Sequence, residues 1–293
     1  MAAASSARAC AGGVALKRAH PAASMLRCDT AVWTLYTTMS FAVSATAYDR
    51  YMGRYSRRLA PLFADFASVT CGQRVLDVGC GPGGLTAELA LRAGAEYVAA
   101  ADPANGFVHA CAQRVPGADI QTAPAEALPW PDGSFDAVLS QLVVNFLHDA
   151  DAAIGEMRRV VRGRGLVAAC TWDYRAEMEM LRTFWDAALT LDPTAPDEAR
   201  IMNYSDLESL GELWLRAGLG DVKTAPLVVQ VQYTGLEDYW QPFLTGAGPG
   251  GAYCASLDTH HQAALRDECF RRLGTPETSF TLTARAWAVR GVA

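Results

Sequence analysis

The chain of 293 residues is long enough for one large domain, and its hydrophobic fraction of 51% is sufficient for a packed core. Its formal net charge of -6 gives no electrostatic attraction to nucleic acid, so a polynucleotide substrate is not expected. The eight cysteines include no Cys-x-x-Cys pair, which favours a reducing compartment over a disulfide framework or a zinc site.

Residues 1–42 differ in composition from the rest of the chain. They are rich in alanine and basic residues and contain Asp29 as their only acid. Three interpretations remain open: an organelle transit peptide, a secretory signal cleaved near Ala45-Thr46-Ala47, or a start codon assigned upstream of the true start near Met39. We predict that these residues are disordered or absent from the mature core and that the folded domain covers residues 43–293.

The chain continues with an amphipathic segment and then alternates between strands and helices. Over residues 48–68, apolar side chains recur at helical spacing and predict one or two helices that can cover a ligand. Apolar runs predict strands at 74–79, 96–101, 118–122, 134–140 and 164–172, with helices near 84–93, 105–114 and 150–161. This alternation is typical of a parallel sheet with right-handed crossovers.

After residue 172 the pattern becomes mainly helical. Helices are predicted near 176–190, 205–217, 235–243 and 255–273, and strands at 221–232 and 279–289. We therefore predict an α/β fold with a Rossmann-like, seven-stranded, mostly parallel sheet and helices on both faces. An N-terminal helical cover and late cap elements around 176–217 and 235–273 complete it, and no transmembrane helix is expected.

A glycine-dense turn follows the first predicted strand, in the sequence Asp77-Val78-Gly79-Cys80-Gly81-Pro82-Gly83-Gly84. Glycine lacks the Cβ atom that would keep a ligand away from the backbone, and it allows positive φ where the chain turns sharply. The next helix presents its free N–H groups to the bound molecule. Asp102 ends the second apolar run, where a carboxylate can accept hydrogen bonds from both hydroxyls of a ribose. Together these residues predict a nucleotide-binding site.

Four segments in a fixed order extend this pattern: residues 77–83, Asp102, the sequence Ala-Glu-Ala-Leu-Pro-Trp-Pro-Asp-Gly-Ser-Phe-Asp at 125–136, and Glu-Met-Arg-Arg-Val at 156–160. Together they resemble the class I S-adenosylmethionine-dependent methyltransferases, in the small-molecule branch that includes the ubiquinone and menaquinone biosynthesis C-methyltransferases. The resemblance is strong over residues 47–172. A nicotinamide dinucleotide site is the competing interpretation, because residues 79–84 also match G-x-G-x-x-G, but no evident hydride-transfer motif accompanies them.

The resemblance implies S-adenosylmethionine as the cofactor and a set of residues that bind it. In such enzymes the glycine loop lies beside the methionine portion, the acid after strand two binds the ribose, and the segment after strand three surrounds adenine. The implied cofactor residues are Gly79, Gly81 and Gly83 in the loop, Asp77 near the methionine ammonium, Asp102 at the ribose, Ala125, Glu126 and Leu128 at adenine, and Ser140 near the sulfonium. Gln141 also faces the sulfonium and is assigned to the acceptor side.

One position departs from the family pattern. Relatives commonly carry an aspartate before Ala-Glu, where it accepts a hydrogen bond from the adenine amino group, and this chain has Pro124 there. Adenine is then held by the backbone of Ala125 and by apolar packing. The departure implies weaker cofactor affinity and leaves a noncatalytic, cofactor-binding regulator or partner subunit as an alternative function.

Residues near the ends of two strands are candidates for the acceptor site. Trp172 and Tyr174 close the fifth strand and can stack on an acceptor, although packing under the next helix would explain them as well. Asn145 and His148 follow the fourth strand. His148 can remove a proton from an acceptor, and its alternative role is that of a surface histidine.

The N-terminal segment supplies two further candidates, Tyr48 and Arg54. The resemblance places them in a helix that closes over the cofactor, where Arg54 either pairs with the cofactor carboxylate or belongs to a solvated basic face. No metal site is predicted, because His260 and His261 form an isolated pair with no third ligand at suitable spacing.

Methyl transfer is an in-line displacement that needs alignment of the acceptor and exclusion of water more than it needs a base. The predicted function is therefore transfer of a methyl group from S-adenosylmethionine to a small-molecule acceptor, with a quinone-like, phenolic or other largely apolar compound as the favoured class. The predicted location is cytoplasmic, with organelle targeting by residues 1–42 as the alternative. The sequence does not determine the oligomeric state.

Overall fold

Seven strands form one sheet in the computed structural model, which describes residues 44–293. They are β1 (Val75–Val78), β2 (Val98–Asp102), β3 (Asp119–Thr122), β4 (Phe135–Gln141), β5 (Val161–Trp172), β6 (Gly220–Tyr233) and β7 (Phe280–Val292). Their order across the sheet is β3-β2-β1-β4-β5-β7-β6. The first five strands pair in parallel, and β7 runs antiparallel to both β5 and β6. The predicted Rossmann-like, seven-stranded, mostly parallel sheet is confirmed.

The central strands are short apolar runs because helices cover both faces of the sheet. Every residue of β1 and of β2 is buried, including the carboxylates Asp77 and Asp102. Val75 lies opposite Val98 on one side and Ala137 on the other. Parallel pairing in this register brings the carboxyl ends of β1, β2 and β4 to one edge of the sheet, where a ligand can reach them.

The helices are α1 (Ala45–Tyr48), α2 (Arg54–Phe66), α3 (Gly84–Ala93), α4 (Asn105–Arg114), α5 (Ala150–Val160), α6 (Glu179–Leu191), α7 (Glu198–Ile201), α8 (Leu207–Arg216), α9 (Leu236–Trp240), α10 (Gly248–Ser256) and α11 (Thr259–Arg272). A π-helical turn, Asp49–Gly53, joins α1 to α2, and a 3-10 turn, Gln241–Thr245, follows α9. Several helices begin at a side-chain cap. Asp149, for example, accepts a hydrogen bond from the Ala152 N–H at 2.9 Å.

The late helical region differs from the sequence prediction in its boundaries. The helix predicted at 255–273 begins later, at Thr259, because Asp258 caps it by accepting from the His261 N–H at 2.9 Å, and an unpredicted helix, α10, precedes it. Helix α10 begins in Gly248-Pro249-Gly250-Gly251, which is a turn-like sequence. Tertiary packing overrides that local preference, since Pro249, Gly250 and Gly251 are all buried.

The N-terminal segment and the late helices pack together through aromatic side chains. The rings of Phe184 on α6 and Phe243 are stacked with centroids 4.3 Å apart. Tyr51, in the π-helical turn, meets Phe243 edge-on at 5.3 Å. The beginning of the described chain is thereby fixed against elements that come about 190 residues later.

No helix within the described part of the chain is long and apolar enough to cross a membrane. The three interpretations of residues 1–42 concern a segment that lies outside the described residues. The boundary of the folded domain near residue 43 therefore stays a prediction.

Candidate active site

A cavity of about 250 Å³ lies at the carboxyl ends of β1, β2 and β4. Its walls come from the loops that follow these strands and from the N-terminal segment. The residues that line it include Tyr48, Gly79, Gly81, Asp102, Phe107, Pro124, Ala125, Glu126, Gln141, Leu142, Val143, Phe146, Leu147 and His148. Many of the residues that the sequence predicted for a cofactor site therefore surround one cavity.

The three glycines of the loop after β1 have different reasons to be glycine. All three have positive φ: +76° at Gly79, +52° at Gly81 and +87° at Gly83. A Cβ on Gly79 would lie 2.4 Å from Cγ2 of Val143, and one on Gly83 would lie 2.8 Å from the sulfur of Cys111. A Cβ on Gly81 would meet no atom within 4 Å. Gly79 and Gly83 are thus required for packing, whereas Gly81 keeps a wall of the cavity open.

Two alanine variants separate these roles. Gly79→Ala is expected to destabilise the protein by about 3 kcal/mol, because positive φ and a steric overlap with Val143 both oppose folding. Gly81→Ala is expected to lower the free energy of unfolding by only about 1 kcal/mol, because only the positive φ opposes the alanine. Its methyl group would narrow the ligand cavity. Urea unfolding gives the stability of each variant, and calorimetric titration with S-adenosylhomocysteine gives the affinity.

The pair Gly79→Ala and Val143→Ala supplies the control for this prediction. Removing the two Val143 methyl groups relieves the overlap, so the double variant should recover a large part of the lost stability. Equal destabilisation by Gly79→Ala and Gly81→Ala would contradict the assignment of different roles to the two glycines.

Asp102 lies at the cavity wall with its carboxylate held by two backbone groups. Its Oδ2 accepts from the Gly81 N–H at 2.9 Å, and its Oδ1 accepts from the Ala104 N–H at 2.9 Å. Burial raises the pKa of the carboxyl, and these two hydrogen bonds oppose the rise. Each oxygen keeps a second lone pair, so the fixed carboxylate can accept two further hydrogen bonds.

Asp77 is buried under the glycine loop and is only partly satisfied. Its Oδ2 accepts from the Thr86 hydroxyl at 2.7 Å, but Oδ1 has no hydrogen-bond partner among the described residues. Burial raises the pKa of this carboxyl to about 7, against the hydrogen bond from Thr86. It borders a side pocket of about 30 Å³ that Gly81 and Gln141 share with the main cavity. A cationic group in this pocket would satisfy Oδ1.

The segment after β3 contributes Pro124, Ala125 and Glu126 to the cavity wall. Leu128, which was predicted beside them, lies behind the wall in the core. Its N–H donates to Oε2 of Glu156 at 2.9 Å, and its carbonyl accepts from Arg159 at 2.9 Å. The structure therefore places Leu128 where it anchors the loop, outside the set of residues that line the cavity.

Two more predicted cofactor residues have other partners. Arg54 forms an ion pair with Asp238 at 3.1 Å and lies over the ring of Tyr233 at 4.3 Å, so its guanidinium is already bound away from the cavity. The hydroxyl of Ser140 donates to the Val78 carbonyl at 2.9 Å and links β4 to β1. Tyr48, in contrast, lines the cavity and packs edge-on against Phe107 at 5.7 Å.

A second chamber of about 50 Å³ adjoins the first and shares Tyr48, Leu142 and Phe146 with it. The predicted acceptor residues Trp172 and Tyr174 line this chamber. Asn145 is fully buried and donates to the Tyr174 hydroxyl at 3.1 Å, so it lies behind that residue.

Gln141 and His148 line the first cavity instead. Gln141 is buried and donates to the Ser56 carbonyl at 3.1 Å, while its Oε1 has no partner among the described residues. His148 is exposed. It lies at the solvent side of the cavity wall, apart from the second chamber.

Two polar residues of the second chamber, Tyr51 and Glu198, were not predicted from the sequence. Tyr51 occurs in a helical apolar pattern that is typical of core residues. Glu198 follows Pro196 and Asp197 in a stretch that is typical of a solvated loop. No local signal distinguishes either residue from a structural one.

The sheet order, the glycine loop after β1 and the carboxylates of Asp77 and Asp102 at one cavity define a class I S-adenosylmethionine-dependent methyltransferase. The residues fit this cofactor, since the open wall at Gly81 lies beside Oδ1 of Asp77, a buried carboxylate oxygen that no described residue contacts by a hydrogen bond. Residues 76–169 match the family described as a methyltransferase domain, and the chain belongs to that family.

Comparisons with individual proteins agree with this classification. The chain is 30% identical to a malonyl-[acyl-carrier protein] O-methyltransferase of Halorhodospira halophila over 62% of this chain and 60% of that protein, somewhat less than two thirds of the relative's length. It is 32% identical to an uncharacterized protein of Mycobacterium bovis over 80% of this chain and 82% of that protein.

Among solved structures, a putative methyltransferase from an antibiotic biosynthesis pathway of Anabaena variabilis has a TM-score of 0.55 at 18% identity. The match covers 79% of this chain and 96% of that one. At this identity the likeness supports the fold. The dinucleotide alternative is not favoured, because the family match covers the same glycine loop.

Proposed function

We propose that this chain transfers a methyl group from S-adenosylmethionine to a small-molecule acceptor that binds in the second chamber. The observation that supports this most directly is the contact between the two cavities: the chamber beside Trp172 and Tyr174 shares three wall residues with the cavity beside Asp102. A donor in the first cavity and an acceptor in the second would meet at that shared wall.

The proposed cofactor contacts follow from the fixed carboxylates. Asp102 accepts from the ribose hydroxyls with the lone pairs that Gly81 and Ala104 leave free. Oδ1 of Asp77 pairs with the methionine ammonium and so gains the partner that the described part of the chain does not give it. The backbone of Ala125 and the ring of Phe107 enclose adenine, since Pro124 offers no side-chain acceptor.

When bound, S-adenosylmethionine supplies an electrophilic methyl group on a positively charged sulfur. The work left to the protein is to hold the acceptor behind that methyl group and to keep water out. Tyr48, Leu142 and Phe146 are placed for both tasks because they form the wall common to the two cavities.

We also propose that the protein acts in the cytoplasm, binds no nucleic acid and takes an apolar acceptor. The thiols of Cys80, Cys111 and Cys170 are buried and free, as expected in a reducing compartment. The walls of the second chamber are mostly aromatic or aliphatic, which favours an acceptor with an apolar frame.

Calorimetric titration of the full-length protein tests the cofactor. We expect S-adenosylmethionine and S-adenosylhomocysteine to bind at micromolar concentrations and NADH not to bind. A screen of apolar acceptors with radiolabelled S-adenosylmethionine then tests transfer. Binding of NADH alone would overturn the proposal. If a folded sample binds none of the three compounds, the cofactor site has been lost, with Pro124 as the sequence change that marks the loss.

A further inference from the structure

We propose that Glu198 accepts the proton of an acceptor hydroxyl in the second chamber, so that the methylated group is an uncharged hydroxyl and not a carboxylate. This inference rests on the proposed function and specifies the acceptor for that same site. It depends on four observations: the position of Glu198, the Tyr51 hydroxyl that has no partner among residues 44–293, the lack of a cation in the part of the chamber wall that these residues form, and the effect of burial on the carboxyl.

Glu198 is a buried carboxyl at the chamber wall. It is 2% exposed, and its Oε2 accepts from the Trp185 indole N–H at 2.6 Å. The nearby cation Arg182 forms its ion pairs with Asp186 at 2.5 Å and Asp197 at 2.8 Å. Glu198 forms no ion pair among the described residues, so a ligand that donates a hydrogen bond is a suitable partner for it.

Tyr51 adds a second polar group to the same chamber. It is 3% exposed, and its hydroxyl has no hydrogen-bond partner among the described residues. Two glycines leave room for it: a Cβ on Gly248 would lie 2.7 Å from its ring, and one on Gly250 would lie 3.1 Å from its hydroxyl oxygen. A buried hydroxyl without a partner costs free energy that a bound polar ligand recovers.

Among the residues that the structure describes, the remaining wall of the chamber carries no positive charge. Its other residues are Tyr48, Met52, Leu142, Phe146, Trp172, Tyr174, Gly248 and Pro249. The described wall supplies no cation to balance a carboxylate ligand, and the single positive charge of a bound sulfonium would face two carboxylates, which is unfavourable. An uncharged hydroxyl on an apolar frame avoids that penalty, donates its proton towards Glu198 and can bond to Tyr51.

Burial raises the pKa of Glu198 to about 7, and the hydrogen bond from Trp185 opposes the rise. The charged and titratable groups that act on it are Asp197, which raises its pKa, and Arg182, which lowers it. Burial raises the pKa values of Tyr51 and Tyr174, and the charge of Glu198 adds to that rise. A carboxylate that titrates near neutral pH is suited to general-base catalysis.

The reaction balances with this one base. The acceptor oxygen forms a bond to the methyl carbon as the carbon–sulfur bond breaks, and the electron pair of that bond stays on sulfur. The hydroxyl proton moves to the carboxylate of Glu198 and later to solvent. The positive charge on sulfur and the negative charge on Glu198 disappear together, so no further co-reactant is needed.

The test uses full-length protein saturated with S-adenosylhomocysteine and three single-ring probes: phenol, benzoate and aniline. Ligand-observed NMR titration measures each affinity. We expect phenol to bind the wild-type complex about tenfold more tightly than benzoate. Glu198→Gln and Tyr51→Phe should each weaken phenol binding about fivefold, and Glu198→Gln should also reduce the discrimination against benzoate. Glu208→Gln, on the exposed face of α8, is the matched control and should bind as the wild type does.

Several outcomes would overturn the inference. They are benzoate or aniline binding as tightly as phenol, phenol not binding to the loaded protein, and phenol affinity unchanged in Glu198→Gln and Tyr51→Phe. If Glu198→Gln fails to fold by thermal melting, Tyr51→Phe decides the question alone. Failure of S-adenosylhomocysteine itself to bind is a separate result, because it contradicts the proposed function and not the choice of acceptor.

Discussion

Replacing Asp102 by alanine is expected to lower the affinity for S-adenosylhomocysteine about 100-fold. Two hydrogen bonds to a carboxylate, at about 1.5 kcal/mol each, amount to roughly 3 kcal/mol of binding free energy. The variant also removes the acceptors of the Gly81 and Ala104 N–H groups, so the glycine loop loses its support. Calorimetric titration of wild type and variant measures the change.

Asp102→Asn separates charge from shape in this experiment. The amide keeps the size of the side chain but has one acceptor oxygen, so it should retain part of the affinity that alanine loses. Asp267→Ala is the control, because this exposed carboxylate on α11 lies outside the cavity. A folded Asp102→Ala variant that binds as tightly as wild type would remove Asp102 from the ribose site.

The affinity for S-adenosylhomocysteine is expected to rise with pH between about 5.5 and 7, by up to about tenfold per pH unit. In the ligand-free protein burial raises the pKa of Asp77 to about 7, so this carboxyl is largely protonated below that pH. An ammonium group at Oδ1 favours the ionised form, and binding must therefore release a proton. Over this range the ligand's own α-amino group stays protonated, since its pKa is about 7.7–8.

Calorimetry in buffers with different heats of ionisation counts the released protons. Asp77→Asn should abolish both the proton release and the pH dependence, whereas Glu198→Gln should keep them because Glu198 lines only the second chamber. Binding that is independent of pH in the wild type would show that the ammonium does not reach Asp77.

The raised pKa values of Asp77 and Glu198 also make the stability of the protein depend on pH. The folded protein binds a proton at each of these two carboxyl groups more tightly than the unfolded chain does. The free energy of unfolding therefore falls as pH rises from about 4 to 7. Asp77 and Glu198 both contribute with this sign, because burial raises the pKa of each to about 7. Bound cofactor offsets the loss at Asp77 by supplying a positive charge.

The sequence predicted the sheet well because its strands carry strong local signals. Residues 75–78 and 98–102 are continuous buried runs that end at glycine or at a polar residue, and the predicted and observed bounds differ by at most two residues. Helix α10 could not be predicted from local preferences. Its Gly-Pro-Gly-Gly start becomes helical only in contact with Tyr51 and Phe243, which lie elsewhere in the chain.

Within the site, the structure brings predicted residues that directly follow a strand, such as Asp102 and Gly81, to one cavity, since the carboxyl ends of parallel strands meet at one edge. The structure places Arg54 apart from this cavity, paired with Asp238, which comes 184 residues later and leaves no trace in the local sequence. Glu198 was missed for the same reason, because its burial depends on Trp185 and the N-terminal segment. The roles of the individual cofactor residues stay predictions until the variants are measured.

The two cavities draw their walls from different parts of the chain. The first is built between residues 48 and 148, whereas the second recruits Trp172, Tyr174, Glu198, Gly248 and Pro249. Substitutions in these late segments are therefore expected to change which acceptor binds while the affinity for S-adenosylmethionine stays unchanged. The determinants of acceptor selectivity thus lie largely in segments that do not line the first cavity, where they can be altered independently of cofactor binding.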